Sequence, residues 1–366
     1  MTGHIRQRSP GSWEVRWRHE GRVCTRTIKG SKKDAERALR AAIPAVEQGN
    51  HIDPSRITVA ELLASRIEAW HASGKIRNAT RDLYLTAAKT AAPIGSIPAQ
   101  KLTSADIERW HLDMHAKDLS TSARRAAHGV VHRALADAVR HRLAVRNAAA
   151  DQGPPPAGRR TEVAVLKSDQ VQDLLTRLDG DAWRVPVVMA LHCGLRRSEQ
   201  LALRWHRIDL DRAKVQIVEA LEESRTGIVV KPPKTKAGTR TISLPKIVVA
   251  ALREHRKAQL ERCLLLGQGR PPADAIVFPG PGGGYDGPRA FSLRWGRAAA
   301  RMGIPEISWH SLRHAHAAQL VAAGVPITTI TARLGHADAS VTLKVYAYLY
   351  EKDDSAAAAA IDAALG

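Results

Sequence analysis

Cysteine is scarce in this sequence. Its 366 residues include three, Cys24, Cys193 and Cys263, and no two of them form a CxxC pair. Isolated cysteines exclude a disulfide framework and a cysteine-based zinc site, and they are typical of reduced thiols inside a cell. We therefore expect a fold that needs neither a disulfide nor a metal.

Long apolar runs are absent as well. No segment approaches the roughly 20 apolar residues of a membrane span, and the N-terminus lacks the apolar core of a signal peptide. The sequence also contains no Walker motif and no cluster of carboxylates that would bind a metal. These absences predict a soluble cytoplasmic protein with no membrane partner.

Acidic residues are few relative to basic ones. Lys and Arg number 56 against 36 Asp and Glu, which gives a formal net charge of +20. A surplus this large predicts a polyanionic partner, and the phosphate backbone of a nucleic acid is the favoured one. Generic solubilising charge is the alternative. A membrane surface is disfavoured because the basic residues are spread along the chain.

Residues 1–52 form a small β-rich module in this interpretation. Apolar residues at positions 13, 15 and 17 alternate with charged ones, which predicts a strand, and a second strand follows over 22–28. Ser31 caps a helix over 32–47. The charged face of this hairpin is a candidate DNA-binding surface, or else a solvated basic face, and it carries Arg16, Arg18 and Arg22.

Residues 57–150 read as an all-α domain of four helices without strands. Thr58 with Glu61 three residues later is the pattern of a capping box. Basic residues predicted to contact DNA here are Arg81, Arg124 and Arg125. Residues 151–160 contain three consecutive prolines, which cannot continue a helix and predict a linker.

Residues 161–366 read as a larger, mainly helical domain with a small antiparallel β-sheet and, at the alanine run 356–360, a C-terminal helix. Helices are expected over 167–178 and 181–192, and strands over 207–210, 215–220, 227–232 and 240–244. The fold class is thus multidomain α+β, with an N-terminal module of a β-hairpin or small sheet plus one helix, a four-helix domain and this third domain.

Two segments of the third domain carry candidate chemistry. His310 and Arg313 share one face of a predicted helix, and imidazole beside guanidinium suits an anionic oxygen. His310 with His314 could instead bind a metal, or His310 could be a core histidine. Arg196 and Glu199 are also three apart, on a helix expected to start at Gly194, where an ordinary ion pair is the alternative.

A third segment, 345–350 (VYAYLY), holds three of the five tyrosines. Their spacing fits one face of a strand, whereas on a helix only Tyr346 and Tyr350 would share a face. The residues of this segment alone leave both readings open.

Taken in order, these motifs resemble the signature of the tyrosine recombinases, the phage-integrase family. The matching elements are GLR with Glu199, His310 with Arg313, Leu334-Gly335-His336, and a tyrosine ten positions after His336. Residues 57–150 are similar to the family's helical core-binding domain, and 1–52 to the arm-binding module of many integrases. The resemblance places Tyr346 on a short helix as the nucleophile, which favours the helical reading.

The resemblance also implies roles for the other residues. Arg196 and Arg313 would bind the non-bridging oxygens of a DNA phosphate, and His310 and His336 would donate hydrogen bonds there. Glu199 would orient Arg196. The general acid would be Lys234 on a β-hairpin tip, with Lys236 as its rival, and Lys236 and Arg240 are also predicted DNA contacts. Ser311, where many relatives have Asp, is expected to cap its helix equally well.

The implied function is that of a site-specific DNA recombinase, the integrase of a phage or other integrative element, with no cofactor and no metal. Its partners would be double-stranded attachment-site DNA, three further copies of the chain in a tetramer on DNA, and host DNA-bending and directionality factors. The location would be the nucleoid. The alternatives are a non-catalytic DNA-binding regulator with the same fold, and a Xer-like resolvase.

Overall fold

A computed structural model of the chain describes residues 3–19, 22–47, 55–158, 166–233, 235–340, 343, 361–363 and 365. The chain divides into two compact units at residues 159 and 160. It is mostly helical with small antiparallel sheets, as the sequence predicts. Each unit has hydrophobic cores of its own.

The N-terminal module contains one more strand than predicted. Three antiparallel strands in the order β1-β2-β3 precede helix α1, with bounds His4–Ser9, Ser12–His19, Arg22–Lys29 and Lys32–Glu47. In β1 only Ile5 is partly buried, so this edge strand has no apolar alternation that a sequence reading could detect. The predicted face of β2 is confirmed, since Val15 and Trp17 are buried in a small core with Ala35.

The second part of the first unit is all-helical, as predicted. Its four long helices are α2 (Val59–Ala72), α3 (Asn78–Lys89), α5 (Ser104–Ala116) and α6 (Thr121–Arg140), with short helices α4 (Ala92–Gly95) and α7 (Ala148–Gln152) and a 3₁₀ turn at Ala99–Lys101. The Thr58–Glu61 capping box is confirmed: Glu61 Oε2 accepts from the Thr58 N–H at 2.9 Å. Trp70 and Trp110 fill the core.

The predicted linker starts later than expected. Helix α7 continues to Gln152, so the first two residues of 151–160 are helical. The proline run then turns back along α6, where the Arg125 guanidinium donates to the Pro155 carbonyl. Arg125 thereby has a structural partner within its own unit.

The second unit is built around the buried helix α9. Its helices are α8 (Ser168–Arg177), α9 (Arg184–Cys193), α10 (Arg197–Leu201), α11 (Lys246–Leu265), α12 (Pro288–Arg301), α13 (Trp309–Ala322) and α14 (Ile327–Leu334). Helix α9 packs against α11 and α13. Seven of the ten side chains of α9 are buried, which explains why its sequence is mostly apolar without a polar face.

The strands of this unit form two small sheets rather than one. Strands β4 (Ile208–Asp209), β5 (Lys214–Ile217) and β8 (Arg240–Ser243) make one sheet, and β6 (Ala220–Ser224) and β7 (Gly227–Lys231) make the other. The predicted strand 215–220 is therefore two strands, because the chain changes sheets after Ile217. The predicted hairpin around Lys236 is also wrong, since β7 pairs with β6 and β8 with β5.

No helix in the described residues has the length and apolar character of a membrane span. The predicted tyrosine segment 345–350 and the alanine run 356–360 lie outside the described residues.

Candidate active site

The segment from Gly194 to Glu199 is a turn followed by a short helix, not the long helix predicted from Gly194. Gly194 ends α9 in the left-handed conformation with φ of +63°. A Cβ there would lie 2.4 Å from His316 Cδ2 and 3.0 Å from Leu334 Cδ2. Glycine is therefore required twice, by the backbone conformation and by the close approach of α13 and α14.

Glu199 is a buried carboxylate that binds Arg196 in two ways. Its side chain is 2% exposed. Oε1 accepts from Arg196 Nη1 at 2.7 Å, and Oε2 accepts from the Arg196 backbone N–H at 3.0 Å. Arg196 is the N-cap of α10 and Glu199 the third residue, so Glu199 caps the start of α10 through the Arg196 N–H as well as forming an ion pair.

Helix α13 presents Arg313 to the interior and His310 to the surface near its start. Ser308 is the N-cap and accepts from the Ser311 N–H at 3.2 Å, so the expectation that Ser311 caps the helix is wrong by one turn. Arg313 is 4% exposed. Its guanidinium donates to the Gly194 carbonyl, to the Leu334 carbonyl at 2.7 Å and to His336 Nε2 at 3.0 Å.

The C-terminal end of α14 collects three arginines. Three successive carbonyl oxygens, of residues 333, 334 and 335, accept respectively from Arg240 Nε at 2.7 Å, Arg313 Nη2 at 2.7 Å and Arg196 Nη2 at 2.8 Å. These carbonyls have no partner inside the helix and carry the negative end of its dipole. The helix terminus therefore supplies the acceptors that bring Arg196 and Arg313 side by side.

The two site histidines lie in a cationic environment. Although His310 reaches the surface, partial desolvation by the surrounding protein, followed by the charges of Arg313, Arg196 and Arg197, lowers its pKa. Burial, followed by the charges of Arg313, Arg196 and Arg240, lowers the pKa of His336 to about 4. Both imidazoles are thus neutral at pH 7 in the isolated protein. Because a guanidinium only donates, His336 Nε2 accepts from Arg313.

An open pocket of about 360 Å³ adjoins these groups. It is lined by Arg196, Arg197, Ser198, Ser292, Ser308, Trp309 and His310. The Arg197 guanidinium donates to the Ser292 hydroxyl, which fixes a further positive charge at the pocket wall. Cations, hydroxyls and the start of α13 line one cavity, a combination that suits a phosphate.

Two predicted site residues, Lys234 and Tyr346, lie outside the described residues, as do Tyr348 and Tyr350. Lys236 is exposed on a short 3₁₀ helix over Lys236–Gly238. His310 and His314 stack edge to face with ring centroids 4.4 Å apart. Among the residues that the structure describes, no group of three or more metal-ligating side chains accompanies them.

The basic residues predicted to contact DNA differ in their exposure and in their side-chain partners. Arg18 is exposed, Arg16 pairs with Glu14 at 2.7 Å, and Arg22 has no described side chain. Arg81 binds both oxygens of Glu68, and Arg124 donates to Thr121 Oγ1 at 3.2 Å. Their contacts to DNA stay predictions.

Arg240 differs most from its expected place. Its side chain is 8% exposed and binds Glu199 instead of pointing to solvent. A signal for this was present in the sequence: in a strand, Arg240 and the buried Ile242 fall on the same face, because side chains alternate with a period of two.

A model of the phage integrase family matches residues 164–353, more than half of the chain. The chain belongs to the phage integrase family. A relative named tyrosine recombinase XerC-like, from Caldanaerobacter subterraneus subsp. tengcongensis, is 22% identical over 349 residues, covering 88% of this chain and 87% of the relative. An integrase of Mycobacterium phage D29 is 27% identical over 305 residues, covering 82% of this chain and 77% of the relative.

Solved structures share the fold. The Tn1549 transposon integrase in complex with a circular intermediate DNA has a TM-score of 0.69 at 21% identity, covering 82% of this chain and 98% of that one. A lambda integrase tetramer bound to a Holliday junction has a TM-score of 0.55 at 16% identity, covering 96% of each. This phage-integrase family member is a tyrosine-type site-specific DNA recombinase.

Proposed function

We propose that this recombinase cleaves and rejoins attachment-site DNA through a 3′-phosphotyrosyl intermediate formed on Tyr346. The observation that supports this most is the side-by-side binding of Arg196 and Arg313 to successive carbonyls at the end of α14. Arg196 lines the open pocket and Arg313 bonds to His336, and together these two guanidiniums from distant parts of the sequence would bind one phosphate diester.

In the proposed step, the Tyr346 oxygen attacks phosphorus and the 5′-oxygen of the next nucleotide leaves. A phenol has a pKa of about 10, so ionising it near pH 7 costs about 4 kcal/mol without help. Fixed positive charge lowers that cost and stabilises the extra negative charge of the five-coordinate phosphate. Loss of one such donor typically raises the barrier by about 3–4 kcal/mol.

The remaining roles are those that the family resemblance implies. Arg196 and Arg313 bind the non-bridging oxygens, and Glu199 orients Arg196. His310 and His336, neutral before DNA binds, donate hydrogen bonds to the phosphate and assist transfer of the tyrosine proton. Lys234, or Lys236 in its place, gives a proton to the leaving 5′-oxygen. The phosphotyrosyl bond conserves the energy of the diester, so a 5′-hydroxyl of a second duplex reverses the step.

A nicked suicide duplex tests this proposal. Cleavage beside the nick releases a short fragment, so the covalent adduct accumulates and runs as a slower band in a denaturing gel. We expect an adduct with the natural protein and none with Tyr346→Phe, while Tyr348→Phe, a matched change two residues away, retains it. An adduct that persists in Tyr346→Phe shows that another residue is the nucleophile, and a wild type without adduct supports the non-catalytic regulator instead.

The finer domain assignment belongs to the same proposal. Residues 1–52 would bind arm-type DNA sites, 57–150 and 161–366 would each contact the core site, and four protomers would assemble on two duplexes. Footprinting with and without residues 1–56 tests the first assignment, because only arm-site protection should disappear. Deleting 355–366 tests assembly: we expect half-site binding to remain and the four-protomer complex to be lost.

A further inference from the structure

We propose that Arg240 is a positioning residue of the recombination site, which fixes both supports of the Arg196 guanidinium, and that it is not a DNA contact. The inference rests on the proposed function, because it concerns the arginine that would bind the phosphate under attack. Arg240 itself belongs neither to the signature motifs in the sequence nor to the pocket lining.

The first support of Arg196 is Glu199, and Arg240 binds it on the other side. Oε1 of Glu199 accepts from Arg196 Nη1 at 2.7 Å and from Arg240 Nη1 at 3.2 Å. Oε2 accepts from the Arg196 N–H and from Arg240 Nη2, each at 3.0 Å. Each carboxylate oxygen therefore has two donors, and Glu199 cannot rotate without breaking bonds to Arg240.

The second support of Arg196 is the carbonyl of Gly335, and Arg240 lies against that residue too. Arg240 Nε donates to the Arg333 carbonyl at 2.7 Å, two residues before Gly335. A Cβ on Gly335 would lie 2.8 Å from Arg240 Nη1 and 2.9 Å from the Ala237 carbonyl oxygen. The turn after α14 is thus packed directly on the Arg240 guanidinium.

The side chains of Arg196 and Arg240 differ in their exposure to solvent. The Arg196 side chain is 37% exposed, whereas that of Arg240 is 8% exposed. Every guanidinium nitrogen of Arg240 has a partner: Nε bonds to Arg333, Nη1 to Glu199 and Gly238, and Nη2 to Glu199. A DNA phosphate would have to displace the Glu199 carboxylate from Arg240, whereas Arg196 can reach solvent while keeping both of its supports. The bonds described for Arg313, which is also buried, go to neutral acceptors that do not compete with a phosphate for its charge.

Charge gives the arrangement a pH signature. Burial alone raises the pKa of Glu199, but the hydrogen bonds and charge of Arg240, followed by the charge of Arg196, outweigh burial and hold that pKa below its ordinary value. The charged or titratable groups that face Glu199 are Arg196, Arg240 and His336. Removing Arg240 should therefore let Glu199 take up a proton at a higher pH than in the natural protein.

The test compares Arg240→Met with Arg204→Met in the full chain. Arg204 is a matched control, a half-buried arginine bound to Asp274 at 2.8 Å and to Tyr285 at 2.9 Å, with no bond to the site. Half-site binding is measured by gel shift. The rate of adduct formation is measured on a nicked suicide duplex saturated with protein, at several pH values between 5 and 8. For Arg240→Met we expect unchanged binding and an adduct rate lower by roughly 10- to 100-fold, the range that loss of a hydrogen-bond partner behind a metal ligand causes at metal sites.

Two further readouts distinguish positioning from general structural loss. The acid side of the pH–rate profile should move to higher pH in Arg240→Met and stay in place in Arg204→Met. The Arg240→Met change should slow Glu199→Gln less than it slows the natural protein, since part of the effect of Arg240 passes through that carboxylate and the rest through the turn at Gly335. If Arg240→Met does not fold, Arg240→Lys replaces it, because lysine keeps the charge but cannot bind Glu199 and the Arg333 carbonyl together.

Two experimental outcomes would contradict the positioning role of Arg240. Weaker half-site binding with a normal rate in the saturated complex would make Arg240 a DNA contact and overturn the proposal, as would no change in binding, rate or pH profile. Failure of the proposed function looks different, because the natural protein would then form no adduct or Tyr346→Phe would still form one.

Discussion

Arg196 Nη2 donates to the carbonyl oxygen of Gly335 at 2.8 Å, although the two residues belong to motifs far apart in the sequence. The Leu334-Gly335-His336 motif thus positions the Arg196 side chain through a backbone carbonyl. The conformation of the turn after α14 should consequently matter as much for recombination as the arginine side chain itself.

Gly335→Ala tests that dependence. The residue has φ of +65°, which costs an L-residue about 1–2 kcal/mol, and its new Cβ would collide with Arg240 and Ala237. We expect adduct formation to fall at least tenfold. Gly324→Ala is the control, since Gly324 has φ of +69° and no atom within 4 Å of its Cβ position. Equal losses in both variants would attribute the effect to backbone strain alone.

Arg313→Lys tests whether geometry or charge matters at this position. Lysine keeps the charge but cannot bind the Leu334 carbonyl and His336 Nε2 while also facing a phosphate. We expect the adduct rate to fall by roughly 10²–10³, with half-site binding nearly unchanged. The control is Arg177→Lys, a change at a surface arginine paired with Asp173. This change should leave the adduct rate unaltered. A normal rate in Arg313→Lys would contradict the proposed bidentate role.

His316 should make stability depend on pH. Its Nδ1 donates to the Leu191 carbonyl at 2.9 Å, and its Nε2 accepts from Arg333 at 3.2 Å. A second ring proton would have to bind Nε2, which already faces the donating Arg333 guanidinium. Burial, followed by the charge of Arg333, lowers its pKa to about 3. The unfolded chain therefore binds more protons than the folded one below the ordinary pKa of 6.5, and stability falls as pH falls through that value.

The size of this effect can be measured with urea unfolding at pH 7 and 5.5. One such histidine should account for about 1 kcal/mol of the loss, and His316→Gln should remove that part of the pH dependence. His206→Gln, a change at an exposed histidine, should leave it intact. An unchanged pH dependence in His316→Gln would show that His316 does not stay neutral.

Salt dependence tests the DNA-contact predictions in the helical domain. Each phosphate contact adds about 0.9 to the slope of log affinity against log salt concentration. Arg124→Ala should lower the slope for half-site binding by about that amount. Arg109→Ala, an exposed arginine on α5 outside the predicted set, should not change it. Identical slopes for all three proteins would remove Arg124 from the contact set.

Local signals predicted much of this fold. The capping box at Thr58 and Glu61, the alternation in β2 and the apolar helix α9 all depend on near neighbours in sequence, and each occurs in the structure. Strand β1 was missed because its side chains are exposed and have no pattern. The hairpin expected around Lys236 was wrong because strand pairing is a long-range choice, made here between β5 and β8.

The sequence by itself determined the family, the order of the motifs and the identity of the candidate site residues, because spacing within each motif is a local property. Only the tertiary structure decided how the motifs meet: three arginines share the carbonyls at the end of α14, and Arg240 turns inward to Glu199. The reason is that buried charges and the terminal carbonyls of a helix need partners, and a folded chain finds them among residues that sequence spacing does not connect.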